Sequence, residues 1–287
     1  MPNYRNAEIV LTLSCPDRMG IVARVATFLV ERDSFIIDSQ QFSDPDAKRF
    51  FMRVAFRAGG PRFDPVRLEQ EFTGLAEEFR MDWRLSHMNK RTRVLIAVSK
   101  YGHCLNDLLH RWRIGALAID IPVVFSNHDD MRSLTEWHGI PFVWVGQEAG
   151  KAAQEARLRA LMEEHKIDLV VLARYMQILS PELCADLAGR CINIHHSFLP
   201  SFKGAGPYKQ AHARGVKLIG ATAHFVTTDL DEGPIIEQAV ERVDHGHSVA
   251  RLTAIGRDIE SAVLARAVSW TAEHRILLSG DRTIVFR

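Results

Sequence analysis

Apolar and polar positions recur along the chain in two rhythms, and the change between them falls near residue 90. Glu8 to Ser14 reads as a strand, half alternating and half buried, and Cys15-Pro16-Asp17-Arg18-Met19-Gly20 breaks it. Ile21, Val22, Val25, Ala26, Phe28 and Leu29 then recur at helical spacing, which gathers them on one side of a helix with 3.6 residues per turn. Phe35–Phe42 and Arg49–Phe56 read as a hairpin around Ser43-Asp44-Pro45-Asp46, because clustered Asp, Ser and Pro mark turns. Pro65–Phe79 is amphipathic, with Val66, Leu68, Phe72, Leu75 and Phe79 on roughly one face, and Met81–His87 is a closing strand. The order βαββαβ in so short a stretch is a ferredoxin-like plan.

A short basic linker, Asn89 to Arg93, precedes the second rhythm. Apolar strands near 94–98, 117–125, 141–145, 168–172 and 191–194 alternate with helices, clearest at 105–112 and 154–165. Such alternation predicts a doubly wound, mostly parallel sheet. After residue 219 the order changes to two strands, 219–226 and 234–243, a long helix over 248–274 and a last strand at 282–286. The fold class is therefore α/β in two domains, expected at 1–88 and 89–287. A length of 287 residues suits two cores better than one.

Composition narrows the partners. Hydrophobic and charged contents of 47% and 25% are those of ordinary globular protein. A net charge of +1, with Lys and Arg scattered, gives no electrostatic case for nucleic acid or an acidic membrane. No apolar run approaches the roughly 20 residues of a membrane span, and the N-terminus lacks the apolar stretch of a signal peptide. Cys15, Cys104, Cys184 and Cys191 show no Cys-x-x-Cys spacing, which fits a reducing, cytoplasmic setting. His245-Gly246-His247 is the tightest histidine pair, but no third ligand recurs at useful spacing; it reads as a loop, and no metal is expected.

Two strand ends concentrate chemistry. Cys191, Ile192 and Ile194 form a buried strand that carries Asn193, His195 and His196 to its C-terminal end, where open α/β sheets bind ligands. Gly220–Val226 brings a third histidine, His224, and is followed by Asp229, Asp231 and Glu232 before Gly233-Pro234. Amide, imidazole and carboxylate together can polarise a carbonyl, move a proton and hold a water. Asn193 and His195 are two apart on a strand and share a face. If the strand continues, His196 points to the opposite face, in a packing role.

These motifs carry a resemblance. Asn193-Ile194-His195, the run Ser197 to Gly204, His224-Phe225 and Asp229 to Ile236 look like the formyltetrahydrofolate-dependent formyltransferase fold. The tandem His195-His196 is similar to the deformylase branch, whereas ribonucleotide transformylases have Pro after the catalytic His. The resemblance implies hydrolysis of 10-formyltetrahydrofolate to formate and tetrahydrofolate, with formate supplied to purine synthesis and the one-carbon folate pool kept in balance. It implies that Asn193 and His195 flank the formyl oxygen, that His195 moves a proton, and that Asp231 pairs with His195 and orders the water. An ionised Asp231 would favour the imidazolium form, which can donate to an oxyanion. Arg174, Tyr175, Met176, Gln177, Ile178 and Leu179 resemble the family's folate-binding segment, and His224 and Gly233 would support the loop that bears Asp231. No permanently bound cofactor is implied.

The loop Ser99–Leu105 bears on the acceptor. Transformylases have a Gly- and Ser/Asn-rich turn there that holds a substrate phosphate at a helix N-terminus; this chain retains only Gly102 among Lys100, Tyr101, His103 and Cys104. His103-Cys104-Leu105 and Ser126-Asn127-His128-Asp129 also look like the deformylase version. Nothing pairs Cys104 with a base, and packing is its expected role. Two other readings remain open: a formyltransferase acting on an amine such as glycinamide ribonucleotide, and a non-catalytic folate or amino-acid sensor. The N-terminal βαββαβ plan, with Pro16 to Ile21 at its first turn, resembles an ACT domain. That implies regulation, an amino-acid effector near Asp17, Arg18, Gly20 and Ile21, and a homo-oligomer, most simply a tetramer.

Overall fold

The computed structural model of the chain describes residues 8–199 and 207–287. The end of the Ser197–Gly204 motif lies outside the described residues. The chain divides into two compact units, which part after Lys90. Glu273–Ser279 and Ile284–Arg287 group with the first unit, and Arg91–Ala272 with Gly280–Thr283 forms the second.

The first unit runs β1 (Ile9–Pro16), α1 (Ile21–Val30), β2 (Ser34–Asp44), β3 (Arg49–Ala58), α2 (Pro65–Phe79) and β4 (Asp82–His87). Its four strands lie in the order β2-β3-β1-β4, paired antiparallel, the ferredoxin-like arrangement expected from the hydrophobic pattern. Alternate residues of β1 (Ile9, Leu11, Leu13, Cys15) and β3 (Phe50, Met52, Val54, Phe56) meet Phe28, Leu29, Leu68 and Phe72 of the helices in one core. The period of two delivers one face of each strand to that core. Helix α2 starts where Asp64 accepts from the backbone of Val66 and Arg67 and Pro65 presets the first turn. At the first turn of the unit, Gly20 adopts φ 92° and starts α1. Ile21 is buried in the core. Arg18 donates to the Glu78 carbonyl at 2.6 Å and lies 3.9 Å over the Phe79 ring, and Asp17 accepts from the Ser43 hydroxyl.

Arg53 is the exception to the strand pattern. It sits in the middle of the buried run Phe50–Phe56 and is 1% exposed. Its guanidinium donates to the carbonyls of Glu273 at 3.0 Å and His274 at 3.2 Å, and reaches Asp38 at 3.3 Å. A buried cation is tolerated because its donors are engaged in this way.

The second unit contains β5 (Thr92–Val98), α3 (His103–Arg113), β6 (Ile119–Ser126), α4 (Arg132–Trp137), β7 (Phe142–Trp144), α5 (Gly150–Glu164), β8 (Leu169–Leu172), α6 (Pro181–Asp186), β9 (Cys191–His195), α7 (Pro207–Arg214), β10 (Leu218–Phe225), β11 (Ile235–Arg242) and α8 (Val249–Ala272). A hairpin of β12 (Ile276–Ser279) and β13 (Arg282–Val285) ends the chain. The seven-stranded sheet has the order β11-β10-β9-β8-β5-β6-β7. The strands from β7 to β9 are parallel, and β10 and β11 are added antiparallel. The chain winds outward from β5 to β7, then restarts on the other side at β8, so the switch point lies between β5 and β8. No helix among the described residues is long and apolar enough to cross a membrane.

Helices α4, α6 and α7 are 6, 6 and 8 residues long. They carry no periodic signal because so few turns cannot build an apolar stripe. Helix α6 is specified instead by its start, where Ser180 caps the Leu183 amide and Pro181 opens the first turn.

Replacing Arg53 with Leu would leave two carbonyls and Asp38 without their cation. The full-length Arg53→Leu protein should lose about 3 kcal/mol in urea denaturation, the scale of breaking a buried ion pair from one side; a loss below about 1 kcal/mol would contradict this account.

Candidate active site

The two strand ends singled out in the sequence come together. Strands β9 and β10 pair so that Asn193 lies opposite His224 and His195 opposite Thr222. Beside the site the β10–β11 ladder shifts register between Ala223 and His224, an irregularity that re-aims side chains at a strand end. The loop after β10 then returns Asp231 to the histidines.

Asp231 is the shared partner. Its Oδ2 lies 3.2 Å from His195 Nδ1 and its Oδ1 3.6 Å from His224 Nε2. His224 Nδ1 donates to the Phe225 carbonyl at 2.9 Å, which leaves Nε2 as the acceptor for the Asn193 amide at 3.3 Å. The histidine thus orients the amide and touches the carboxylate. His195 is 4% exposed, and its Nε2 is buried without a hydrogen-bond partner among the described residues. Buried polar atoms are ordinarily paired; His195 lines the cavity described below. Burial acts to raise the Asp231 carboxyl, but the imidazoles of His195 and His224 beside it outweigh that and hold the group well below the ordinary carboxylate range.

The Asp231 loop is held under local strain. Asp231 adopts φ 58°, a left-handed conformation that Asp tolerates better than most residues. Two residues on, a Cβ at Gly233 would fall 1.8 Å from the Phe225 carbonyl oxygen, so only glycine lets the loop pack against β10. Asp229 and Glu232 are exposed, unlike Asp231.

His196 departs from expectation. The strand ends at His195 and the chain bends at His196, so the alternation of sides stops there. The two rings lie 4.8 Å apart and tilted by 30°, and His196 lines the same cavity instead of the opposite face.

That cavity, of about 540 Å³, is also lined by Arg174, Tyr175, Met176, Gln177, Ile178 and Leu179. Tyr175 and Leu179 are buried anchors while Met176 and Ile178 are exposed to the cavity. Several side chains that the apolar pattern does not reveal position this wall. Ser99 Oγ accepts from the Met176 amide at 3.0 Å and donates to Asn127 at 2.7 Å. Glu155, buried on α5, accepts from both the amide and the hydroxyl of Ser180. Polar residues at the ends of β5 and β6, immediately beyond apolar strands, were the available signal for Ser99 and Asn127.

The cavity also reaches Tyr101, His103, Tyr208, Arg257 and Glu260. Glu260 is buried on α8 and binds His103 Nε2 at 2.8 Å and the Tyr208 hydroxyl at 2.6 Å, with Arg174 Nε 3.4 Å away. Its signal was an acid in the apolar stripe Leu252, Gly256, Val263, Ala267. His103, Cys104 and Glu260 bring ligand-type atoms within 4.8 Å of one another. Burial pushes the Cys104 thiol far above its ordinary value, and the Arg174 cation already faces the carboxylate, so the trio is a poor cation site. Elsewhere, His247 pairs with Asp244 at 2.8 Å within its own turn.

The fold and this site define a class, enzymes that move or remove a formyl group, and residues 92–268 match the formyl transferase family. The formyltetrahydrofolate deformylase of Bacillus subtilis is 49% identical over 96% of this chain and 93% of its own length. The crystal structure of the Burkholderia mallei deformylase superposes with a TM-score of 0.93 at 53% identity, covering 98% of this chain and 100% of that one. A glycinamide ribonucleotide transformylase from Symbiobacterium toebii matches 69% of this chain and 95% of its own, with a TM-score of 0.65 and 30% identity. The chain belongs to the formyltetrahydrofolate deformylase branch of the formyl transferase family.

The depressed carboxyl gives a pH signature. A group whose folded value lies below its unfolded value, about 3.9 for Asp, adds stability above that value and loses it as pH falls toward the folded one. The stability difference between wild type and Asp231→Asn should hold from about pH 7 to 5 and close below about pH 4 in urea denaturation. A difference that persists unchanged at about pH 2 would contradict the assignment.

Proposed function

We propose that the chain hydrolyses 10-formyltetrahydrofolate to formate and tetrahydrofolate at the Asn193–His195–Asp231 site. The observation that carries the reading is the buried His195 Nε2, unpartnered among the described residues, backed by a carboxylate and beside a cavity with a mixed apolar and backbone wall.

Each part of the chemistry has a group to do it. The segment 174–179 holds the pterin, with Met176 and Ile178 against its faces and backbone groups at its edge. An amide carries two N–H donors; one from Asn193 is engaged by His224, and the other meets the formyl oxygen. The water oxygen bonds to the formyl carbon, and negative charge gathers on the oxygen between Asn193 and His195. The His195–Asp231 pair takes the proton of the attacking water, and His195 Nε2 delivers one to the leaving nitrogen as the C–N bond breaks. Formate departs. No step calls on a bound cofactor.

The assignment extends to the first unit as a regulatory and assembly module, taking an amino-acid effector near Asp17 to Ile21 and forming a homo-oligomer, most simply a tetramer. The setting is cytoplasmic, and the formate serves purine synthesis.

Purified protein should release formate stoichiometrically from 10-formyltetrahydrofolate, with or without glycinamide ribonucleotide. Formylated ribonucleotide as the main product would overturn the reading. Asp231→Asn should lower turnover by about 10²-fold or more while folate binding persists, and Asp229→Asn should be mild; near-normal turnover in Asp231→Asn would remove it from the mechanism.

A further inference from the structure

The chain leaving β9 is held by side chains that take no part in the chemistry described above. Thr222 lies opposite His195 in the β9–β10 ladder and is fully buried. Its hydroxyl donates to the Ser197 carbonyl at 2.9 Å and accepts from the Leu199 amide at 3.1 Å. Gln238, on β11, donates both to that hydroxyl at 3.0 Å and to the Leu199 carbonyl at 3.1 Å. A hydroxyl offers one donor and two acceptor lone pairs, so Thr222 is filled. Together these bonds fix Ser197 and Leu199, the path out of the bend at His196.

We propose that His196 is a positioning residue for formyl hydrolysis: its ring, brought by this bend onto the face of His195, holds the tilt of that imidazole and supports the charge it carries during turnover. The inference rests on the hydrolytic reading above.

The geometry gives the ring a task. His195 is tied at Nδ1 to Asp231 by a contact of 3.2 Å, at the long end of the range for such bonds, and a ring held at one edge can still rock. The His196 ring lies against it at 4.8 Å between centroids and 30° between planes, a stack of the kind aromatic pairs prefer. Rocking toward that side is blocked, and Nε2 keeps its aim. The charge argument is independent of the first. Between taking the proton of water and giving it to the leaving nitrogen, His195 is an imidazolium, and a cation is attracted to the face of a neighbouring aromatic ring. Both effects act while bonds are made and broken, so they bear on turnover more than on substrate binding. Neither calls on a particular nitrogen of His196; the flat ring is what they need.

Full-length variants assayed for formate release from 10-formyltetrahydrofolate separate a ring from a hydrogen-bonding group. His196→Ala and His196→Gln both lack the ring and should lower kcat about tenfold with KM within about twofold of wild type, the scale of an aromatic pair lost from the reacting state. His196→Phe keeps a flat face without a titratable nitrogen and should recover most of that loss, to within about threefold of wild type. Near-normal kcat in His196→Ala, a His196→Phe as slow as His196→Ala, or a loss read in KM alone would each overturn the proposal. Should the His196 variants not fold, Thr222→Val decides. Freeing the bend while keeping both histidines should lower kcat at unchanged KM, and an unchanged kcat overturns the proposal. Wild type is measured alongside: no formate from it contradicts the hydrolytic reading itself, whereas normal release by both wild type and His196→Ala contradicts this proposal alone.

Discussion

The contact on which the rest of the site depends is the one Asp231 makes with two histidines. One carboxylate oxygen sets His195 and the other approaches His224, which in turn holds the Asn193 amide. Three groups from two strands are thereby fixed by a single charge carried on a loop. The backbone accommodates this arrangement: the register shift before His224, the left-handed Asp231 and the closely packed Gly233 are all departures from regular geometry within a few residues. Local strain of about 1–3 kcal/mol at such a position persists only where the surroundings demand it. The demand here is to hold a partly buried carboxylate ionised between two imidazoles.

A second buried acid, Glu260, organises the other end of the cavity by the same physics. A buried charge is tolerable when its hydrogen-bonding capacity is filled, and Glu260 has an imidazole, a hydroxyl and a guanidinium around it. The two acids differ in what they leave available. Asp231 leaves His195 Nε2 without a partner among the described residues, whereas His103, Tyr208 and Arg174 all face Glu260.

Much of the fold was legible in the apolar pattern, because strands and long helices repeat their signal over several residues. Helix α2 was readable to its ends, since Pro65 and the apolar stripe mark it and Asp64 caps it. The two strand ends that meet at the cavity were readable because motifs put unlike polar groups together where an α/β sheet binds ligands. What escaped was long-range or short. Glu260 and Tyr208 are 52 residues apart, and a single acid in a helix stripe does not say what it meets. Arg53 gives no sign in the strand's own sequence that it is buried, because its carbonyl partners come from the chain's last segment. His196 was placed on the wrong face because alternation was extended one residue past the end of the strand. In each case the missing information is a contact between distant residues or the point at which a local rule stops.

The central claim, that water is the acceptor of the formyl group at this site, has a direct test in the oxygen atoms of the product. Turnover of 10-formyltetrahydrofolate in water enriched with oxygen-18 should give formate carrying one solvent oxygen, because the attacking water becomes one of its two oxygens. Formate without solvent oxygen, or a formylated amine in its place, would contradict the account.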